Sequence, residues 1–153
     1  MAGTYSQIHI QAVFAVKRRE HFILPEWKGD LCRYIAGIIE GKGQKSIIVN
    51  GVSDHIHVFF GLRPSMCLSD LMRDIKNNSS KFVNENKLCK HRFEWQEGYG
   101  AFSYSKSHIN RVYNYVLNQE QHHQQQSFKE EYTKLLEYEE LDFNEKYLFD
   151  WLE

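Results

Sequence analysis

A short run of alternating side chains near the middle of the chain constrains the fold most strongly. From His55 to Phe60, apolar residues alternate with two histidines, His55 and His57. Side chains in a strand point to opposite faces in turn, so both imidazoles lie on one face, while Ile56, Val58 and Phe60 lie on the other. The pattern predicts a strand in a sheet that has one apolar, covered face and one face that carries the histidines.

Two imidazoles on one face of a strand are held at a nearly fixed separation and can share a metal ion, because the neutral imidazole nitrogen is a common metal ligand. A pair of histidines two positions apart also arises by chance in a chain of 153 residues with 8 histidines. The metal interpretation therefore needs support from elsewhere in the sequence.

The segments that precede the histidines indicate a strand, a helix and a second strand. Gln7 to Val16 alternates as a strand does. Pro25 stands at a favoured first helical position, and apolar residues then recur at helical spacing as far as Gly41. Ser46 to Val49 is typical of a second strand. Asn50 and Gly51 then predict a turn into the third strand, which extends to Leu62.

The segments that follow indicate a second helix and a further strand region. After Pro64 the periodicity predicts an amphipathic helix with Ser69 as its cap. Phe93 to Gln96 and Ala101 to Tyr104 are short strand candidates. The order is strand, helix, strand, strand, helix, strand. It predicts an α+β fold of the ferredoxin-like type, as in RNA-recognition domains, with helices on one face of an antiparallel sheet and an open second face.

In this arrangement the first and third strands are central neighbours. If the apolar residues of both strands face the helices, His55 and His57 lie on the open face together with His9 and Gln11. We therefore expect the two histidines to be exposed on a polar surface and not to be part of the core.

A third helix is predicted from Ser107 to about His123. At about 100° per residue, Tyr113 falls on its apolar arc, whereas Tyr115 falls on the edge of that arc with Gln119 one turn later. This helix could offer a phenol nucleophile and an amide oxygen as a third metal ligand. An amphipathic packing helix with an edge tyrosine is the alternative that the spacing leaves open.

Charge is distributed unevenly along a chain whose net charge is only −1. Residues 1–127 carry 16 Lys and Arg against 11 Asp and Glu, whereas residues 128–153 carry 3 against 9. We expect one domain over residues 1–127 and an acidic helical tail over 128–153 that packs on it. The basic body permits binding to a polyanion such as nucleic acid.

Three cysteines distant from one another and the lack of a long apolar run favour a cytoplasmic protein without a membrane span. The N-terminus also lacks the basic-then-apolar pattern of a signal peptide.

Three motifs in this order resemble the single-tyrosine HUH transposases of bacterial insertion sequences, including their relatives associated with repetitive extragenic palindromes. The motifs are Asp54 to His57, Trp95 to Ser103, and Tyr115 to Gln119 followed by His122 and His123. The likeness extends from about residue 6 to residue 149. Three motifs in the same order are far more specific than a histidine pair alone.

The resemblance implies a metal-dependent reaction on single-stranded DNA hairpins, in which a strand is cut and rejoined through a 5′-phosphotyrosine intermediate. It implies that His55, His57 and Gln119 hold a divalent ion, Mg²⁺ or Mn²⁺, and that Tyr115 is the catalytic nucleophile. His122 is a possible accessory residue. Gln11 stands where many relatives have a histidine, so we expect altered DNA contacts or altered contacts to the metal ligands there.

The resemblance also implies a homodimer in which one subunit's tyrosine helix can complete the other's histidine pair. A domesticated nuclease without mobility and a non-catalytic nucleic-acid-binding module of the same fold are the alternatives. Basic residues are the candidates for contacts to DNA phosphates. They are Lys17, Arg18, Arg19, Arg73, Lys76, Lys81, Lys87, Lys90 and Arg92.

Overall fold

A four-stranded antiparallel sheet organises the computed structural model, which describes residues 3–17, 23–124 and 126–141. The strands are β1 (His9–Ala15), β2 (Lys45–Gly51), β3 (His55–Gly61) and β4 (Gly100–Tyr104). Their order in the sheet is β2-β3-β1-β4, with β1 and β3 at the centre. This confirms the predicted ferredoxin-like α+β class, including the central position of the first and third strands.

Two long helices cover the apolar face of the sheet. They are α1 (Pro25–Gly41), which begins at the proline as predicted, and α2 (Leu68–Glu85). Ile56, Val58 and Phe60 lie fully buried beneath them in the main core. Burial of this apolar area is the principal stabilising contribution to the fold.

Three further helices cover the second face: α3 (Ile109–Leu117), α4 (Gln119–His122) and α5 (Phe128–Tyr138). Helix α3 packs Val112 and Val116 against Phe59 of β3. Helix α5 packs Phe128, Tyr132 and Leu136 against apolar side chains of β1 and β4. The prediction that this face is open is therefore wrong, because Phe59 and the apolar residues of β1 and β4 also require cover.

The predicted helix from Ser107 to His123 is interrupted. A 3₁₀ turn (Lys106–His108) precedes α3, and Asn118 separates α3 from the single-turn helix α4. The predicted tail helix is described as α5, which ends at Tyr138, while residues 142–153 of the predicted tail lie outside the described residues.

Several local predictions differ from the structure at element ends. Strand β2 continues through Gly51, and the turn follows it over residues 52–54. The predicted strand Phe93 to Gln96 is reduced to an isolated bridge between Trp95 and Val16. The residue at the N-cap of α2 is Cys67 and not Ser69, because the helix begins at Leu68. None of the helices within the described residues is long and apolar enough to cross a membrane.

Candidate metal and tyrosine site

His55 and His57 lie on the second face of β3, as the alternation predicted, but the expectation that they are exposed is wrong. Both side chains are fully buried. The ring of Phe128, the first residue of α5, stacks on the His55 ring with their centroids 3.8 Å apart. The two imidazoles are therefore held in the interior beneath α5.

Glu131 of α5 lies at the centre of this buried group and is 1% exposed. Its Oε1 lies 3.1 Å from His55 Nε2, 3.2 Å from His57 Nε2 and 3.0 Å from His123 Nε2. One carboxylate oxygen thus connects both histidines of β3 with a third that follows α4.

Tyr115 reaches the same carboxylate from α3. Its hydroxyl donates a hydrogen bond to Glu131 Oε2, and its ring meets the His57 ring edge-on at a centroid distance of 5.8 Å. The ring of His122 stacks on Tyr115 at 4.7 Å. Tyr113, which the helical spacing placed on the apolar, packing arc, is instead exposed.

Gln119 is also fully buried within the site. Its Oε1 lies 3.3 Å from His55 Nε2, and its Nε2 donates to Glu131 Oε2 at 3.1 Å. The break at Asn118 leaves Gln119 as the first residue of α4. The predicted third ligand is thus beside the histidines, but Glu131 lies closer to both of them.

Polar neighbours orient both imidazoles from behind. Asp54 Oδ1 lies 2.7 Å from His55 Nδ1, so Nδ1–H can donate to the carboxylate while Nε2 faces the centre of the site. Gln11 Nε2 lies 2.9 Å from His57 Nδ1, and the Tyr104 hydroxyl donates to Gln11 Oε1 at 3.0 Å. Gln11 therefore contacts a candidate ligand directly.

Burial and charge act on these groups in opposite directions. Burial disfavours a charged His55, but its hydrogen bonds to Asp54 and Glu131 raise its pKa above the ordinary value. Burial lowers the pKa of His57 despite the nearby Glu131 carboxylate. Burial also opposes ionisation of Glu131, yet the surrounding histidines hold the pKa of this carboxyl well below its usual range.

The Tyr115 phenol is strongly held in its protonated form. Burial raises its pKa far above the ordinary value, and the Glu131 carboxylate raises it further. A phenol beside an uncompensated carboxylate is therefore a weak nucleophile in this arrangement.

The donor set fits a divalent metal ion. One ligand atom from each of His55, His57 and Glu131 lies within 4.8 Å of the others, and all three residues are buried. The contact between Asp54 and His55 is of the kind that fixes the tautomer of a metal-binding histidine. Imidazole nitrogens suit transition-metal ions better than they suit Mg²⁺, which prefers oxygen ligands.

The predicted DNA-binding residues that the structure describes do not lie at this site. Arg73, Lys76 and Lys81 belong to α2, on the other side of the sheet. Lys76 donates to the backbone oxygens of Gln96 and Gly98, and so holds a loop. Lys17, Lys87, Lys90 and Arg92 are exposed in loops, whereas Arg18 and Arg19 lie outside the described residues.

Sequence reasoning missed Glu131 and chose His122 over His123. The sequence does carry a signal for the first: Glu131 falls on the same helical face as Phe128, Tyr132 and Leu135, where a carboxylate is unexpected. No comparable pattern distinguishes the two histidines, because their difference depends on how the chain turns after α4.

Comparisons with known proteins were made for both sequence and structure. Residues 4–119 match the sequence model of the family described as "Transposase IS200 like". No curated protein matches the chain.

Solved structures similar to this chain include two transposases. One is a candidate transposase from Deinococcus radiodurans, with a TM-score of 0.62 and 18% identity over 78% of this chain and 95% of the other. The second is a REP-associated tyrosine transposase bound to a REP hairpin, with a TM-score of 0.56 and 12% identity over 77% of this chain and 70% of the other. At these identities the likeness establishes the fold.

Proposed function

The chain belongs to the IS200-like transposase family, and from this premise we propose that it cuts and rejoins single-stranded DNA through a covalent phosphotyrosine intermediate at the site around Glu131. One observation carries the proposal. The hydroxyl of Tyr115 and the imidazoles of His55 and His57 meet at the two oxygens of one buried carboxylate.

In the proposed site His55, His57 and Glu131 hold a divalent ion, and Gln119 orients the carboxylate through its amide. Gln119 was predicted as a ligand, and the geometry supports a ligating role for Glu131 more strongly. A bound divalent ion would offset the charge of Glu131, polarise a phosphate oxygen and stabilise the charge that develops at phosphorus.

Tyr115 supplies the nucleophile. Its oxygen gives up the phenol proton and forms a bond to phosphorus, the bond from phosphorus to the 3′-oxygen breaks, and the departing 3′-oxygen takes up a proton to become a 3′-hydroxyl. The DNA remains attached as a 5′-phosphotyrosine. The reverse attack by a 3′-hydroxyl regenerates Tyr115, so the energy of the phosphodiester is conserved and no nucleotide cofactor is needed.

The tyrosine and the histidine pair come together within one chain. The hydroxyl of Tyr115 reaches Glu131, which in turn contacts both histidines. This supports cleavage in cis, with both parts of the site supplied by the same subunit. A homodimer with exchanged tyrosine helices stays a prediction, and cleavage in cis does not require it.

The hairpin substrate is proposed from the family and from the second structural relative, which is bound to a REP hairpin. The buried site implies that the DNA strand approaches Tyr115 from the side of the sheet covered by α3 and α5. The predicted basic residues on α2 would then contact more distant parts of the hairpin.

Replacement of the proposed nucleophile tests the reaction. Single-stranded oligonucleotides from the DNA on either side of the gene, chosen for their ability to form imperfect hairpins, are incubated with the protein and Mn²⁺ and separated on a denaturing gel. We expect the wild type to form a covalent protein–DNA band and Tyr115→Phe to form none, because the replacement removes the attacking oxygen.

Tyr113→Phe is the matched control, since Tyr113 lies two residues earlier on α3 with an exposed side chain. This variant should retain the covalent band. His55→Ala should abolish cleavage while it leaves hairpin affinity largely intact. A Tyr115→Phe variant that still forms the adduct would refute the assignment, and hairpin binding without any adduct would favour a non-catalytic binding module.

A further inference from the structure

A cavity of about 310 Å³ lies directly beside the candidate nucleophile. Tyr115 and Gln11 form part of its lining, and both also contact the buried site, Tyr115 through Glu131 and Gln11 through His57. Larger cavities within the described residues lie at the opposite end of β1 or along α2, and they share no lining residue with the site. The cavity beside Tyr115 thus borders the candidate site.

The walls of this cavity combine flat rings with one positive charge. Tyr104 of β4 and Tyr138 at the end of α5 contribute rings, and Arg111 of α3 contributes a guanidinium. Tyr138 is 72% exposed and Arg111 is also exposed, so both can be reached from solvent. Within the described residues no carboxylate forms a salt bridge with Arg111, whose charge acts on the neighbouring Tyr104 phenol.

We propose that this cavity binds the base of the nucleotide next to the scissile phosphate, with Tyr138 and Tyr104 contacting the base and Arg111 contacting the DNA backbone. This proposal rests on the proposed function and names the part of the DNA strand that the site holds. A volume near the lower end of small-molecule pockets accommodates one unstacked base and excludes a duplex. Stacking on aromatic rings is the usual way in which proteins hold unpaired bases.

The charges around the cavity agree with a base and its adjoining phosphate as occupants. Burial and the nearby Glu139 carboxylate keep the Tyr104 phenol protonated by raising its pKa, so this wall of the cavity is neutral. Arg111 stands on α3 one turn before Tyr115, where a backbone phosphate near the nucleophile would be placed.

Base-dependent affinity, measured without catalysis, tests this proposal. Fluorescein-labelled pentanucleotides of dA, dC and dT, and an abasic pentamer with the same phosphates, are titrated with protein in EDTA, and fluorescence anisotropy is recorded. At least one homopolymer should bind about fivefold or more tightly than the abasic strand, which corresponds to the low end for stacking one base.

Variants test whether the cavity causes the difference in affinity between the homopolymer and the abasic strand. Tyr138→Ala should reduce the affinity for the homopolymer to that for the abasic strand. Tyr113 is an exposed tyrosine outside the cavity, so Tyr113→Ala should still bind the homopolymer more tightly than the abasic strand. Arg111→Gln should weaken the binding of both strands by a similar factor, because it removes a contact to the DNA backbone, which both strands share. Unchanged circular dichroism and urea midpoints establish that each variant is folded.

Three results would overturn the proposal. The first is equal affinity of the wild type for all strands. The second is an equal loss of affinity for the homopolymer and the abasic strand in Tyr138→Ala. The third is that Tyr113→Ala no longer binds the homopolymer more tightly than the abasic strand. The covalent-adduct assay separates this outcome from failure of the proposed function. If affinity depends on the bases but no adduct forms, the pocket assignment stands and the proposed reaction is refuted. If an adduct forms but affinity does not depend on the bases, the proposed reaction stands and the pocket assignment is refuted.

Discussion

The two faces of strand β3 are equally buried but are built from different chemistry. Ile56, Val58 and Phe60 lie beneath α1 and α2 among apolar side chains. His55 and His57 are just as inaccessible, yet they lie against a carboxylate and a phenol. Neighbouring residues of one strand thus belong to two different environments.

The two faces contribute differently: the first mainly stabilises the fold, and the second also forms the candidate site. Apolar contacts on the first face contribute stability without any need for polar partners. On the second face every buried imidazole needs a hydrogen-bonding partner or a metal, because an unsatisfied polar group in the interior costs about 1–3 kcal/mol. We therefore expect substitutions on the first face to alter stability alone, and those on the second to alter binding and chemistry as well.

The largest effect on stability is expected from two adjacent phenylalanines, one on each face. Phe60→Ala and Phe59→Ala should each lower the free energy of unfolding by about 3–5 kcal/mol, because both side chains are fully buried. Only Phe59 packs against Val112 and Val116 of α3, the helix that carries Tyr115. Urea unfolding checks the two losses.

The adduct assay then distinguishes the faces. At conditions in which both variants are folded to the same fraction, Phe60→Ala should form the covalent adduct at the wild-type rate per folded molecule. Phe59→Ala should form it more slowly, because α3 is less firmly held. Equal rates for the two variants would mean that the faces are not functionally separate.

A smaller but more specific effect is expected from metal binding. At a concentration 100 times its dissociation constant, Mn²⁺ should raise the free energy of unfolding by about 2.7 kcal/mol. Glu131→Gln should lose most of this gain, because the amide carries no charge and the carboxylate lies between both histidines. Thermal unfolding with and without Mn²⁺, and after addition of EDTA, measures the difference.

Glu130→Gln serves as the matched control, since Glu130 is the preceding residue of α5 and is exposed. This variant should keep the full response to Mn²⁺. If Glu131→Gln kept it as well, the ion would be bound elsewhere, and the assignment of Glu131 as a ligand would be wrong.

The structure of the first face could be predicted because it depends on patterns within short segments of the sequence. Alternation in β3 and the helical periodicity of α1 each arise from residues close together in sequence, and the order of elements then favours one sheet arrangement. The alternation also assigned both histidines to the correct face. Their burial depends on α5, whose Glu131 lies 76 positions after His55, and no local pattern encodes that contact.

The site was predictable in part for the same reason. Tyr115 and Gln119 followed from the resemblance, and the structure brings both to Glu131. The position of Tyr113 was wrong because ideal helical angles ignore which side of α3 faces the sheet. The accessory role of His122 stays a prediction: α4 ends after one turn, so His123 reaches the carboxylate while His122 stacks on Tyr115.

The smallest effect concerns the first turn of the helix that carries Glu131. Ser127 Oγ accepts a hydrogen bond from the backbone N–H of Glu130, so Ser127→Ala should cost about 1 kcal/mol of stability. Ser69, which the sequence suggested as the cap of α2, lies inside that helix, and Ser69→Ala should change stability by less than about 0.5 kcal/mol. Urea unfolding of both variants gives the comparison, and a larger loss in Ser69→Ala would contradict both cap assignments.

The same two variants also extend the contrast between the faces to metal binding. Because α5 supplies Glu131, loosening its first turn by Ser127→Ala should weaken Mn²⁺ binding as well as stability. In this variant the rate of amide hydrogen exchange should increase more in α5 than in α2. Ser69→Ala lies on the opposite side of the sheet and should leave the affinity for Mn²⁺ unchanged. If Ser127→Ala lowered stability without any effect on Mn²⁺, Glu131 would be positioned by its contacts to the histidines and not by the helix that carries it.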